Sequence, residues 1–327
     1  MQELLRGLSR DSAPCLKNTA DLIHYDRLMI STNAWILTMS VLAIIVLFDF
    51  SWAVIRRNQE TSLKEASLWS LLYVSLAIGF GIYLGTWTDS QTQQEFFAGW
   101  LTEYSLSFDN LFVFVIILSK LKIEEKSKQL ALLFGILIAL VFRIIAITLG
   151  AAAIKQFEWI FFIFGAFLIY TAIHLFVESS QEHEEEKESK IIAYLSAKGM
   201  KPFTVALIAL GLTDILFALD SIPAIFGLTE NVYVVVTANI FALMGLRQLY
   251  FLIGGLMQRL IYIGKGLSVI LGFIGVKLLF HAFHAVDIHE IAGIHVPDIS
   301  ITQSLSVIVG TLAIATISSL IVTSRRK

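Results

Sequence analysis

Residues 101–114 read LTEYSLSFDNLFVF, and residues 212–222 read LTDILFALDSI. Both begin Leu-Thr-acid, and both reach an Asp six residues after that acid: Glu103 then Asp109, Asp214 then Asp220. Each stretch lies in a run that is otherwise almost wholly apolar. A charge at the centre of a membrane helix costs about 2.5–3.5 kcal/mol on insertion scales, so acids in such a run mark a functional site by default. Reading these stretches as membrane helices decides the fold.

The rest of the chain supplies the setting. Of 327 residues, 57% are hydrophobic and 15% charged, against about 25% charged in soluble domains. A mean hydropathy of +0.77 cannot be hidden in one soluble core, so the class is an all-α polytopic membrane protein in contact with lipid bilayer. The net charge of −2 gives no reason to expect nucleic acid. One cysteine, Cys15, excludes an internal disulfide and a thiolate metal cluster within the chain. The N-terminal MQELLRGLSRDSAP lacks the apolar middle of a signal peptide. No nucleophile–base constellation and no glycine-rich phosphate loop is present, so no enzyme and no cofactor are expected.

A span needs about 20 mostly apolar residues. Nine runs meet this, at about 34–55, 67–88, 96–118, 129–152, 157–177, 202–227, 232–254, 266–286 and 301–323. They divide the chain into a tail at 1–33, a transmembrane domain at 34–323 with a charged loop at 178–201, and a C-terminus at 324–327. Sixteen Lys and Arg fall in joints on one side, including Arg56, Arg57, Lys120, Lys201 and Arg325. Five fall on the other: Arg6, Arg10, Lys17, Arg27 and Lys155. Positive residues stay inside. The C-terminus is therefore expected in the cytoplasm and the tail outside, in a membrane such as the bacterial inner membrane.

The two acidic motifs lie three spans apart and so run in opposite directions. Other residues follow the same order. Arg143 is followed by Gly150, and Arg247 by Gly254, seven residues on in each case. Gly165 is followed by His174, and Gly272 by His281, nine residues on. Spans three to five (about 96–177) and six to eight (about 202–286) therefore read as inverted copies of one three-helix unit. Transporters of this design bind their cargo near the midplane, where the copies meet.

The predicted spans hold five acids, Asp49, Glu103, Asp109, Asp214 and Asp220, and three bases, Arg143, Arg247 and Lys277. The excess of two negative charges would balance one divalent cation. Asn110, Ser105 and Ser221 add neutral oxygens beside the carboxylates, and neither motif contains Cys or Met. Such donors suit Mn, Mg or Ca rather than Cu(I). His174 and His281 read more simply as packing residues. Asp109 and Asp220 are the expected core ligands. Asp214, Glu103, Asn110 and Ser221 are expected nearby, Asp49 is an outlying candidate, and the three bases act as counter-ions. The alternative is that the charges are ion pairs holding the bundle, with Arg143–Asp109 and Arg247–Asp220 as natural partners.

Residues six apart differ by about 240° around a helix and about 9 Å along it. Glu103 and Asp109 therefore cannot ligate one ion from an unbroken helix, nor can Asp214 and Asp220. Either the helices break, or each pair splits between two roles. Pro223 removes a helical donor and frees the Leu219 carbonyl, so span six is the expected place for a break.

At these residues the sequence resembles the TerC family of integral membrane proteins, in particular its Alx-type branch. SLSFDNLFVF (105–114), FEWIFFIFGAFLIYTAI (157–173), DILFALDSIPAIF (214–226) and LMGLRQLYFLIGG (243–255) carry the resemblance, which runs from about Asp49 to Lys277. It implies a bundle related to the LysE-type exporters and efflux of Mn(II), with the acidic motifs as the ion path. Some relatives are linked to membrane-protein insertion. Two positions depart from the family pattern: Gly211 stands where a Glu is expected, and His174 where a Lys is expected. The expected function is thus export of a divalent metal, with Mn(II) as substrate, through alternating access and proton exchange. The rivals are an insertion or assembly factor and an exporter of another ion such as Ca(II). Nothing in the sequence sets the oligomeric state.

Overall fold

The computed structural model describes residues 30–325 apart from 57–61, 124, 158, 178–191, 257–259, 287, 289 and 292–293. Most of the expected N-terminal tail and much of the 178–201 loop lie outside the described residues, as do the side chains of Asp109 and Lys155.

The apolar runs are helices. They are α1 (Thr32–Ile55), α2 (Leu63–Trp87), α3 (Ser90–Lys120), α4 (Glu125–Gln156), α5 (Ile160–Val177), α6 (Pro202–Phe226), α7 (Val232–Leu243), α8 (Leu246–Leu256), α9 (Ile263–Ala285) and α10 (Ile301–Arg325). Among the described residues nine spans are long and apolar enough to cross a membrane, the seventh made of α7 and most of α8. A two-stranded hairpin, β1 (Glu290–Ile291) with β2 (Ile294–His295), sits between α9 and α10.

The helix starts have local causes. Ser31 accepts a hydrogen bond from the Ala34 amide at 3.2 Å, and Asp89 from the Thr92 amide at 2.8 Å. Ser62 caps α2 through the Glu65 amide at 3.2 Å, while the Glu65 carboxylate pairs with Arg56 at the end of α1. Such caps satisfy donors that a helix start leaves open. Pro202 opens α6, where its missing N–H costs nothing.

The bundle is built around α3 and span seven, whose windows are 73% and 83% buried, against 11% for α1 and 17% for α10. The outer helices turn Ile36, Ile44, Leu71 and Ile314 outward, each more than 60% exposed. A soluble protein would not tolerate that surface; hydrocarbon does. α5 and α9 cross with their backbones in contact. A Cβ added at Gly165 would lie 2.9 Å from the Gly275 carbonyl, and one at Gly275 would lie 3.0 Å from the Gly165 carbonyl. Small residues at membrane crossings allow this approach. An added Cβ at Gly165 also meets Leu279, and one at Gly272 meets Ala172. The register that pairs Gly165 with Gly272 pairs Ala172 with Leu279, so it exchanges these two contacts, as an inverted repeat requires.

The helix break is not where Pro223 suggested. α6 runs unbroken to Phe226, with Pro223 inside its last turn. Only one turn follows the proline, so the helix loses one donor and ends soon afterwards. The discontinuity is instead in span seven, at Met244 and Gly245. The helical ladder stops at the Met244 amide, which donates to Ile240 O at 2.9 Å, and resumes where the Leu249 amide donates to Gly245 O at 2.9 Å. Gly245 has φ of 89°, which non-glycine residues rarely adopt. A Cβ there would also sit 3.1 Å from the Tyr73 ring.

Candidate ion site

Three buried charged groups meet in the middle of the bundle. Arg143 on α4 hydrogen-bonds Glu103 on α3 and lies 3.7 Å from Asp214 on α6. Glu103 is 0% exposed, Arg143 1% and Asp214 3%. All three lie well inside their helices, so the group sits near the middle of the spans. Two carboxylates face one guanidinium, leaving one surplus negative charge when all are ionised. The pairing also leaves atoms unsatisfied: Glu103 Oε1, Asp214 Oδ2 and Arg143 Nε are buried without a hydrogen-bond partner. Buried polar atoms are nearly always bonded, and exceptions ask for a water, an ion or a catalytic role.

The first acids of the two motifs are therefore brought together, and among the described residues Asp220 is not paired with them. α6 is continuous, so Asp214 and Asp220 point in two directions, as helix geometry requires. Asp220 is partly buried and accepts a hydrogen bond from Thr171 Oγ1 of α5 at 3.2 Å. Ser221, two turns after Asp214 on the same face of α6, is 1% exposed and lies close enough to the Glu103 carboxylate to act on it. Asn110 is buried. The Asp109 side chain lies outside the described residues, so its expected role as a core ligand is a matter for experiment. Among the described residues no three carboxylate or imidazole groups converge as a metal cage.

One expected arginine partner is corrected and one lies outside the described residues. Arg143 pairs with Glu103 and Asp214, while the expected Asp109 partner is a side chain outside the described residues. Arg247 pairs with Asp49 of α1 at 2.9 Å rather than Asp220. Among the described residues no base lies within 4.0 Å of Asp220. Asp49 Oδ1 also accepts from Tyr73 OH at 2.9 Å and Gln248 Nε2 at 3.2 Å. The reason lies in three dimensions: the break at Gly245 turns the start of α8 towards α1 and α2, carrying Arg247 with it. Tyr73 and Gln248 carry no signal in sequence. Asn239, buried within α7 with both side-chain polar atoms unpartnered, does carry one, as a lone amide in the apolar run VYVVVTANIFAL.

Of the remaining candidates, Lys277 and His281 lie towards the base-poor end and His174 towards the base-rich end. Lys277 on α9 is acted on by the charges of Glu95 and Asp298. His281 bonds Glu230 at 3.2 Å, with both side chains at least half exposed, and its ring meets Phe161 edge-on at 4.7 Å. Glu230 lies between spans six and seven, and the His281 hydrogen bond holds its carboxyl below the usual glutamate value. His174 lies exposed on α5 beside Tyr170. Gly211 faces Ile138 of α4, whose side chain a Cβ would approach to 3.2 Å, so the glutamate expected at this position would need that side chain to give by a few tenths of an ångström.

The pattern of the integral membrane protein TerC family matches residues 88–327. An uncharacterized membrane protein of Mycobacterium tuberculosis is 42% identical over 311 residues, covering 87% of this chain and 78% of that protein. One from Myxococcus xanthus is 37% identical over 287 residues, covering 81% and 85%. A protein of Shigella flexneri, named as a candidate membrane-bound redox modulator, Alx, is 33% identical over 286 residues, covering 78% and 88%. No solved structure matches the chain. With a family match across all but the first two spans and relatives of this identity over most of its length, the chain belongs to the TerC family of integral membrane proteins.

Proposed function

We propose that the chain is a secondary transporter that exports a divalent cation, Mn(II) foremost, from the cytoplasm across the bacterial inner membrane. The observation that supports this most is the Glu103–Arg143–Asp214 group: charge at membrane depth, with surplus carboxylate and unsatisfied oxygens. A purely structural ion pair has no use for a second acid or for open lone pairs. Hard oxygen donors favour Mn(II), Mg(II) or Ca(II). Asp109 and Asp220, with Asn110 and Ser221, would take the ion on towards or away from this centre. Spans three to five and six to eight would act as inverted units, rocking about the α5–α9 crossing. Carboxylates that release metal on protonation couple export to proton entry. The N-terminus faces out and the C-terminus the cytoplasm, from the distribution of Lys and Arg.

The redox role in one relative's name finds no intrachain thiol pair here, since the chain has one cysteine. The test is uptake of Mn(II), Mg(II) and Ca(II) into inverted vesicles, with and without a pH gradient. Uptake of Mn(II) that follows the gradient supports the reading. Uptake of none of the three overturns it, and uptake blind to a gradient of either sign removes proton exchange alone.

A further inference from the structure

α1 stands outside both three-helix units, yet a single carboxylate oxygen ties it to the break in span seven. Asp49 Oδ1 accepts from Arg247 at 2.9 Å, Tyr73 at 2.9 Å and Gln248 at 3.2 Å. Arg247 and Gln248 are the second and third residues of α8. The Tyr73 ring lies against Gly245 itself, where the ladder is interrupted. The two half-helices are thus held at their joint by a contact that neither makes with the other.

This joint opens on a cleft whose wall includes Asp49, Phe50, Tyr73, Leu140, Met244 and Arg247. Leu140 lies on α4 one turn before Arg143, so the cleft's wall leads towards the central triad. The C-terminus of α7 ends here, and a helix C-terminus presents unpaired carbonyls and partial negative charge. Gln248 is 2% exposed and its Oε1 has no hydrogen-bond partner, and the Tyr73 hydroxyl lies on Asp49. Carboxylate, amide and hydroxyl oxygens with a carbonyl end make a seat for a hard cation. The group now on the carboxylate of that seat is a guanidinium on a three-carbon tether.

We infer that Arg247 is a tethered plug in a gate on the cytoplasmic side, holding Asp49 in place of the divalent cation that Asp49 first receives. When the cation arrives, Arg247 leaves Asp49, α8 swings about Gly245, and the cleft joins the path to Glu103 and Asp214. Arg143 and Arg247, equivalent in the repeat, thus divide two tasks. One neutralises the centre, and the other closes the way in. The inference rests on the transport reading and on its orientation.

Its test reads access to the break and needs no flux. In full-length protein carrying Cys15→Ser and Met244→Cys, reaction with a charged, membrane-impermeant thiol reagent is timed from each side of sealed vesicles. Met244 lines the cleft and is 7% exposed, so the reaction is slow while the plug is seated. Releasing the plug with Asp49→Asn should speed reaction from the cytoplasmic side by on the order of tenfold. Mn(II) should speed it in the protein that keeps Asp49, and Asp49→Glu should leave it slow. An unchanged rate in Asp49→Asn, an increase equal from both sides, or no response to Mn(II) overturns the gate. A melting transition retained in Asp49→Asn separates release of the plug from unfolding, and its loss assigns Asp49 to packing and overturns the gate too. A chain that carries no divalent cation fails the flux assay, whatever the labelling shows.

Discussion

Arg143→Met removes the base that faces two buried carboxylates. Glu103 and Arg143 are fully enclosed and hydrogen-bonded, and deleting one partner of such a pair costs about 3–5 kcal/mol, because the other charge stays buried. Asp214 is a weaker partner. At 3.7 Å from Arg143 it is beyond hydrogen-bond range. Its attraction, about 4 kcal/mol at an effective dielectric of 20, is largely offset by desolvation, leaving about 1 kcal/mol. Reversible unfolding in mixed micelles should therefore show Arg143→Met destabilised by about 3–5 kcal/mol. A double-mutant cycle with Glu103→Gln should return about 3 kcal/mol of coupling, and one with Asp214→Asn about 1 kcal/mol. The triple neutral variant should recover most of the loss, since a buried ion group exchanged for neutral side chains is often tolerated. A loss under about 1 kcal/mol in Arg143→Met, or stronger coupling to Asp214 than to Glu103, would refute the ion-paired centre.

Three further outcomes follow from single contacts. Gly245→Ala should lower stability by about 1–2 kcal/mol, the left-handed backbone penalty, and should shift Tyr73 fluorescence; an unchanged melting curve would mean the break tolerates a side chain. Gly165→Leu should abolish folded yield, because its Cβ meets the Gly275 carbonyl at 2.9 Å, whereas Gly79→Leu, with nothing within 4 Å, should be tolerated. Glu230 has its carboxyl held below the usual value by His281. Its contribution is therefore complete above the ordinary glutamate pKa of about 4.3 and lost as pH falls through the lower folded value. Glu230→Gln should flatten the acid-side fall in melting temperature, and an identical fall in both proteins would remove this pair from the pH response.

Much of the frame is legible in the chain. Hydropathy places every span within a few residues, because hydrocarbon demands runs of fixed length. Helix geometry alone establishes that Glu103 must part from Asp109. The Asp49 partner of Arg247 is not legible, since it depends on which helices are neighbours. The position of the break is not legible either. Pro223 is a loud signal in the last turn of a helix, where it matters little. Gly245 is a quiet one, because glycine is common in membrane helices, and its left-handed turn is held by Tyr73 and by Arg247 on Asp49, from helices far away in sequence. Buried Asn239 is legible as a polar interruption of an apolar run.

The central claim is that the Glu103–Arg143–Asp214 group carries a divalent cation rather than merely joining helices. Mn(II) uptake into inverted vesicles by the intact protein and by Asp214→Asn tests it most directly. Asp214 adds little to stability through its 3.7 Å contact with Arg143, so the variant should fold and keep its melting temperature. It should lose uptake by on the order of a hundredfold, as the removal of a charged ligand contact of about 3 kcal/mol requires. Full uptake in well-folded Asp214→Asn would contradict the account.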